Sequence, residues 1–283
     1  MNKNTGLLCE GGGTKGAYTA GVLQCFLDEH IDFPYVVGIS AGAVNLMPYV
    51  SKQRDRFRIT GVDSASQKGA MGIRAFLKEG SLFGIKETYN YIEDHCKLDF
   101  KTFKSNPCKI DIGLYNLDTG KIEYFDKTYH QEDDILIKAA CALALLCPPY
   151  KFNNGTYMDA GLIDMIPIEQ SIRVGNTKHI FISTKEINYV RKEAPKWQLL
   201  LAKLLYRKYP HVKEDLAKRH LSYKTQWSKV QELEASNSAL VLRPSRDMGI
   251  TRYTQDKDKL NAWFDLGYQD TLDRMEQIKE FIK

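Results

Sequence analysis

Gly38-Ile39-Ser40-Ala41-Gly42 constrains this chain more than any other stretch, because of what lies on either side of it. Tyr35-Val36-Val37 reads as a short buried strand, and Ala41-Gly42-Ala43-Val44-Asn45-Leu46 opens a helix. A serine on a sharp strand-to-helix turn is a nucleophile elbow. Gly38 and Gly42 keep bulk away from the turn, so the Ser40 hydroxyl stands clear of the backbone. It lies over the start of a helix, whose free N–H groups favour nearby negative charge. Strands that alternate with helices in this way argue for an α/β sandwich with a largely parallel sheet, in which nucleophiles sit at the C-terminal ends of strands.

A second motif stands upstream. Gly11-Gly12-Gly13-Thr14-Lys15-Gly16 follows the apolar run Gly6-Leu7-Leu8-Cys9 and precedes a helix expected over 17–29. Three consecutive glycines leave their peptide N–H groups unshielded and open backbone angles that other residues avoid. Such a loop can turn several donors toward one anion. In acyl transfer that anion is the tetrahedral oxyanion, and one well-placed donor is worth about 3–4 kcal/mol of barrier. Lys15 adds a positive charge beside the loop. Gly11, Gly13 and Gly16 also satisfy the dinucleotide fingerprint G-x-G-x-x-G. That fingerprint expects an acid at the end of the second strand. Here that strand ends in Ile39-Ser40, and Asp32 falls before it.

A third segment supplies a base. Gly155-Thr156-Tyr157-Met158-Asp159 reads as a short strand ending at an acid, followed by the small residues Ala160 and Gly161. Asp159 can receive the Ser40 proton. A free aspartate has a pKa of about 3.9 and is a weak base, so geometry and desolvation must compensate. Asp-x-Gly is also a common turn with no chemistry in it.

Taken in order, the three motifs resemble the patatin-like phospholipase family, in its bacterial cytosolic form. The resemblance implies a serine–aspartate dyad without histidine. Ser40 is then the nucleophile and Asp159 the general base. The Gly11, Gly12 and Gly13 backbone forms the oxyanion hole, supported by Lys15 and Gly16, and Gly38 and Gly42 shape the elbow. The family's third motif usually reads Asp-Gly-Gly or Asp-Gly-Ala. Ala160 takes the middle place here, and alanine reaches fewer backbone angles than glycine. The run Ala139-Ala140-Cys141-Ala142-Leu143-Ala144-Leu145-Leu146-Cys147-Pro148-Pro149 is similar to the apolar helix and proline turn before the family's aspartate. The implied fold is a three-layer α/β/α sandwich with a largely parallel central sheet and a C-terminal α-rich extension. We expect an acyl hydrolase domain over 6–172 and the extension, with strands and basic helices, over 173–283. The implied activity is hydrolysis of carboxylic esters of lipids: phospholipid, lysophospholipid or simpler acyl esters. No cofactor or metal is implied.

Composition agrees with such an enzyme. At 283 residues and 43% hydrophobic content the chain can bury a large core. It holds no run of 18 apolar residues of the kind that spans a bilayer. The start, Met1-Asn2-Lys3-Asn4-Thr5, is expected to enter the first strand directly and lacks the apolar region of a signal peptide. Six scattered cysteines read as reduced residues, which points to the cytoplasm. Further expectations are a polar surface excursion over 54–72, helices over 73–96 broken at Gly80 and Gly84, and a hairpin around Asp118-Thr119-Gly120. Strands are expected over 179–184 and 239–242, and a closing helix over 256–283, interrupted at Gly267.

The net charge of +5 is unevenly spread: 185–229 holds twelve Lys/Arg against four Asp/Glu. Inside it, residues 197–208 combine leucines, Trp197 and basic flanks. Such a helix can touch an anionic membrane surface, act as a lid, or simply pack on the core. Nothing resembles a nucleic-acid recognition module. Two alternatives to the dyad enzyme remain open at this point. The order Ser40, Asp159, His179 matches the Ser-Asp-His esterases of the α/β-hydrolase type, and a weakly active lipid-binding regulator would carry the same motifs.

Overall fold

The structure, a computed structural model, describes residues 4–283. Of the N-terminal stretch expected to lead into the first strand, residues 1–3 lie outside the described residues. The strands are β1 (Thr5–Cys9), β2 (Tyr35–Gly38), β3 (Lys109–Asn116), β4 (Lys121–Asp126), β5 (Tyr150–Phe152), β6 (Gly155–Asp159), β7 (Lys178–Ile182) and β8 (Ala239–Leu242). They form one sheet in the order β5-β6-β3-β2-β1-β7-β8, with β4 paired to β3. From β3 across to β8 the neighbours are parallel, while β4 and β6 run antiparallel to β3, and β5 runs antiparallel to β6.

Strands covered on both faces need apolar residues at nearly every position, and β1, β2 and β8 are buried throughout. Their side chains alternate between two cores. Leu7, Cys9, Val36, Ile180, Ile182, Leu240 and Leu242 face one way. Leu8, Tyr35, Val37, Phe181 and Val241 face the other, against Ile168, Tyr223 and Val230. A two-residue period feeding two separate cores is what a three-layer sandwich requires.

The helices that bear on the site are α1 (Gly16–Asp28), α2 (Ala41–Val50), α3 (Ile73–Glu79), α4 (Ile85–His95), α5 (Ile135–Ala140), α6 (Ile168–Arg173), α7 (Lys196–Leu205), α8 (His211–Ala235), α9 (Lys257–Asp273) and α10 (Met275–Phe281). α1 is buried from Gly16 to Phe26, between the sheet and α9. The two helices touch backbone to backbone. A Cβ on Gly21 would stand 2.0 Å from the Phe264 carbonyl, and one on Gly267 would stand 2.2 Å from that of Tyr18. Gly267 thus sits inside α9 as a packing residue, and the break expected there falls instead at Arg274, between α9 and α10.

Two other expectations are corrected. The stretch 54–72 is not a surface excursion. Phe57 and Val62 are fully buried, and Gly61 lies against Ala17 and Ala20 of α1. Its polar residues divide: Arg54, Asp55 and Lys68 stay exposed, Arg56 pairs with Glu93 at 2.5 Å, and Thr60 and Ser64 turn inward to line a cavity. The apolar run 139–149 is not a helix either. α5 ends at Ala140, and the chain then winds through tight turns, with Leu145 at φ 71°. These turns let the Ala142 carbonyl accept from the Asp159 N–H at 3.0 Å. The breaks at Gly80 and before α4, the β3–β4 hairpin, and strands β7 and β8 fall where the sequence places them.

Candidate active site

Ser40 adopts φ 54° and ψ −127°, a backbone conformation that side chains other than glycine avoid. The surroundings hold it there. Ile39 N–H donates to the Cys9 carbonyl at 3.1 Å, and Gly42 and Ala43 N–H donate back to Ile39 and Ser40 at 2.8 and 2.9 Å. A Cβ on Gly42 would lie 2.3 Å from the Cys9 carbonyl oxygen, so only glycine lets α2 start this close to the end of β1. The Ser40 hydroxyl does not cap α2, although it sits at the cap position. It is kept free for another partner.

The glycine loop runs against this elbow. A Cβ on Gly11 would stand 2.8 Å from the Ser40 Cβ. Gly13 has φ +58° and packs on the Arg252 carbonyl. Among the described residues, the N–H groups of Gly11, Gly12 and Gly13 meet no protein acceptor, and neither does that of Ala41. The loop is tied from below. Glu10, buried at the end of β1, accepts from Thr184 N–H at 2.5 Å and Ser183 Oγ at 2.8 Å. Lys185 Nζ bridges Glu10 and the Gly11 carbonyl, each at 3.2 Å. Burial pulls Lys185 down to about 8. Lys15 pairs with Glu186 at 3.6 Å, and its carbonyl accepts from Trp263 Nε1 at 3.0 Å. Gly16 opens α1 against Ala41.

Asp159 reaches the elbow through strand register. Gly38 is level with Ile112 of β3, and Leu114, two residues further, pairs with Asp159 of β6. Ser40, two residues beyond Gly38, therefore stands at the height of Asp159. The carboxyl group is buried, and desolvation raises its pKa. Hydrogen bonds from the Ser40 hydroxyl and from Gly161 N–H oppose that rise, as do the charges of Arg219 and Arg252. Gly161 N–H donates to Oδ1 at 2.7 Å. Ala160 begins a short 3-10 turn, is fully buried, and has no positive φ. The turn after the aspartate asks nothing of residue 160 that alanine lacks.

Two cavities meet at Ser40. One, of about 140 Å³, is apolar and is lined by Ala17, Val44, Ile85, Ile92, Ile137 and Leu143 among others. The second, of about 410 Å³, holds Asp159, the three loop glycines, Lys15, Lys185, Arg191, Arg219 and Arg252. The cationic lining escapes a reading by motif. Arg219 belongs to a helix that reads as a solvated basic face, and Arg252 to a polar loop. No histidine lines either cavity among the described residues. His179 is buried behind the sheet, 2.9 Å from Ser171 Oγ, and His211 Nε2 lies 2.8 Å from the Leu117 carbonyl. The described residues hold no group of three or more His, Cys, Asp and Glu able to bind a metal ion, and no helix long and apolar enough to cross a membrane.

The model of the family described as patatin-like phospholipase matches residues 7–172. The chain belongs to the patatin-like phospholipase family. Residues 209–283 match a domain family described only as of unknown function. A curated relative, the uncharacterized protein YjjU of Escherichia coli strain K12, is 24% identical over 192 residues. That alignment takes in 63% of this chain and 51% of YjjU, so the match spans about half the length of this relative. Among solved structures, VipD from Legionella pneumophila superposes over 97% of this chain and 67% of its own, with a TM-score of 0.50 and 13% identity. That likeness is one of fold. The family is described as one of phospholipases.

Proposed function

We propose that this chain hydrolyses carboxylic ester bonds of lipids through Ser40 and Asp159. The observation that carries the reading is the Ser40 hydroxyl, free of capping on a strained turn and level with the buried Asp159 carboxyl group in the same cavity. In the first half-reaction Ser40 Oγ attacks the ester carbonyl while Asp159 takes its proton. The oxyanion is held by the free N–H groups of the Gly11–Gly13 loop, with that of Ala41 beside them. Asp159 returns the proton to the leaving alcohol, and the acyl group stays on Ser40. Asp159 then takes a proton from water, the hydroxide attacks the acyl-enzyme, and fatty acid leaves as Ser40 recovers its proton. Among the described residues no histidine lines either cavity, which favours the dyad over a Ser-Asp-His triad.

The apolar cavity suits an acyl chain. The outer face of α7 exposes Trp197, Leu200 and Leu204, and α3 exposes Ile73, Phe76 and Leu77. α7 packs on the turns at 141–147 through Ala202 and its capping residue Tyr206, and the segment after α3 reaches them through Leu82 N–H, which donates to the Leu146 carbonyl at 2.9 Å. With Lys196 and Lys203 alongside, this face suits transient contact with an anionic lipid surface. Six free cysteines, four of them buried, suit a reducing compartment such as the cytoplasm. A fluorophosphonate probe tests the enzyme reading. We expect covalent labelling and p-nitrophenyl ester hydrolysis, both lost in Ser40→Ala, and activity largely kept in His179→Ala and His211→Ala. A folded protein that takes no label would instead be a lipid-binding regulator.

A further inference from the structure

We propose that residues 209–283, which match only a domain of unknown function, are a working part of the catalytic site: they hold the aspartate turn and the glycine loop in position relative to each other. The inference rests on the hydrolase reading above. Both turns are irregular backbone, and buried backbone outside helices and strands must find its hydrogen-bond partners in whatever packs on it.

For the aspartate turn that partner is α8. Arg219 Nε donates to the Gly161 carbonyl at 2.6 Å. Gly161 is also the residue whose N–H donates to Asp159 Oδ1 at 2.7 Å, so the guanidinium and the carboxylate grip the same glycine from its two ends. About two turns further along α8, Gln226 closes the rest of the segment. Its Nε2 donates to the Ile163 carbonyl at 2.9 Å, and its Oε1 accepts from the N–H groups of Met165 and Ile166 at 3.1 and 3.2 Å.

The glycine loop is held by α9 and the stretch before it. Thr14 Oγ1 donates to the Thr251 carbonyl at 2.9 Å, and Thr14 N–H to that of Arg252 at 3.4 Å. Trp263 Nε1 donates to the Lys15 carbonyl at 3.0 Å. Lys185 grips the other end of the loop at the Gly11 carbonyl. The free N–H groups of Gly12 and Gly13 therefore lie between two fixed points. α9 would dock on α1 through Gly21, Phe264 and Gly267 without the Trp263 N–H, so packing alone does not call for that bond. Catalytic groups must be held within about 0.5 Å of the productive geometry, and a misplacement of about 1 Å can cost about a hundredfold in rate. The two turns lie far apart along the chain, and one segment bonded to both fixes their separation.

The test uses the full chain and variants that delete single contacts. Trp263→Phe keeps a ring in the core and removes the N–H to Lys15. Gln226→Leu removes the bonds to 163–166. We expect each to lower kcat for a p-nitrophenyl ester about tenfold with KM within about twofold, and to slow fluorophosphonate labelling of Ser40 by a similar factor. Arg219→Gln should lower kcat too. It should also move the acid limb of kcat/KM to higher pH, because Asp159 loses a facing positive charge, and Arg219→Lys should bring the limb back. The groups that face Asp159 are the Ser40 hydroxyl, Arg219 and Arg252, with the thiols of Cys141 and Cys147, whose pKa values burial raises. Ile278→Val is the control. Ile278 is buried in α10 and its side chain bonds to neither turn, so this variant should melt earlier at unchanged kcat. Melting curves confirm that each variant is folded, and if Gln226→Leu is not, Trp263→Phe and the Arg219 pair carry the test. Parent-like kcat and labelling in the folded variants overturn the inference. So does an equal loss of kcat in Ile278→Val, which would mark a general loosening of the fold. A labelled parent with unaffected variants sinks this inference alone, whereas a parent that takes no label sinks the hydrolase reading and this inference with it.

Discussion

The turn that carries Ser40 and the turn that carries Asp159 bring their side chains to one point by opposite means. The serine turn is strained in its backbone: Ser40 holds a positive φ, and Gly42 is pressed onto the Cys9 carbonyl. The aspartate turn is relaxed in its backbone and costly in its charge. Ala160 has ordinary angles, while the Asp159 carboxyl group is buried and its pKa raised. One site stores unfavourable energy in geometry and the other in lost solvation. Substitutions that relieve either cost should therefore stabilise the protein as they abolish its activity, but through different measurements.

The largest effect should come from the charge. Asp159→Asn removes the base, and we expect kcat/KM to fall about 10³-fold or more, on the order of 4 kcal/mol of barrier. The same variant should melt at a higher temperature than the parent at neutral pH. Burial raises the folded-state pKa, so the folded chain holds this proton more tightly than the unfolded chain does. The stability tied to that proton is complete below the unfolded pKa and is lost as pH rises through the folded value. Asparagine mimics the protonated form. Its advantage in melting temperature should therefore shrink on acidification, and a constant advantage would break the comparison. In the parent, the acid limb of kcat/KM should lie above the ordinary aspartate value of about 3.9.

Geometry should give the next two effects. Gly42→Ala forces a Cβ to within 2.3 Å of a backbone oxygen that cannot swing away. Denaturant unfolding should show a loss of about 3 kcal/mol or more. Ser40→Gly relieves the positive φ at the cost of a freer unfolded chain. A net gain of about 1 kcal/mol is expected, with no labelling by the probe. Because the Ser40 hydroxyl also favours the ionised Asp159 carboxylate, this gain should grow on acidification, opposite to the Asp159→Asn gain.

The two turns also differed in how far the sequence revealed them. A strained elbow needs glycines beside it, so Gly38, Gly42 and the glycine loop are visible as spacing. A buried carboxylate needs only depth and register, which no local pattern encodes, and Asp159 could be singled out only by its place after the other two motifs. The central strands were legible because burial on both faces demands unbroken apolar runs. Other features depend on partners far along the chain. The polarity of 54–72 suggests solvent because the cavity it lines is invisible from within the segment. Gly267 suggests a break because its contact, Tyr18, lies in the first helix. Arg219 and Arg252 carry no signal of their own, since the cluster exists only once α8 and the loop before α9 close over β6.

Ala160→Gly should have the smallest effect and is the sharpest test of the relaxed turn. The family's aspartate is usually followed by glycine, which would matter if residue 160 needed a left-handed or otherwise restricted conformation. Here residue 160 starts a 3-10 turn with an ordinary φ, and its methyl group is fully buried. Glycine would remove that packing and add freedom to the unfolded chain, for a loss of about 1 kcal/mol. Activity should stay within about twofold, because Gly161 N–H, which holds Asp159 Oδ1, does not depend on the side chain before it. A large rise in activity on introducing glycine would mean that the aspartate turn is strained after all, and that the contrast between the two turns does not hold.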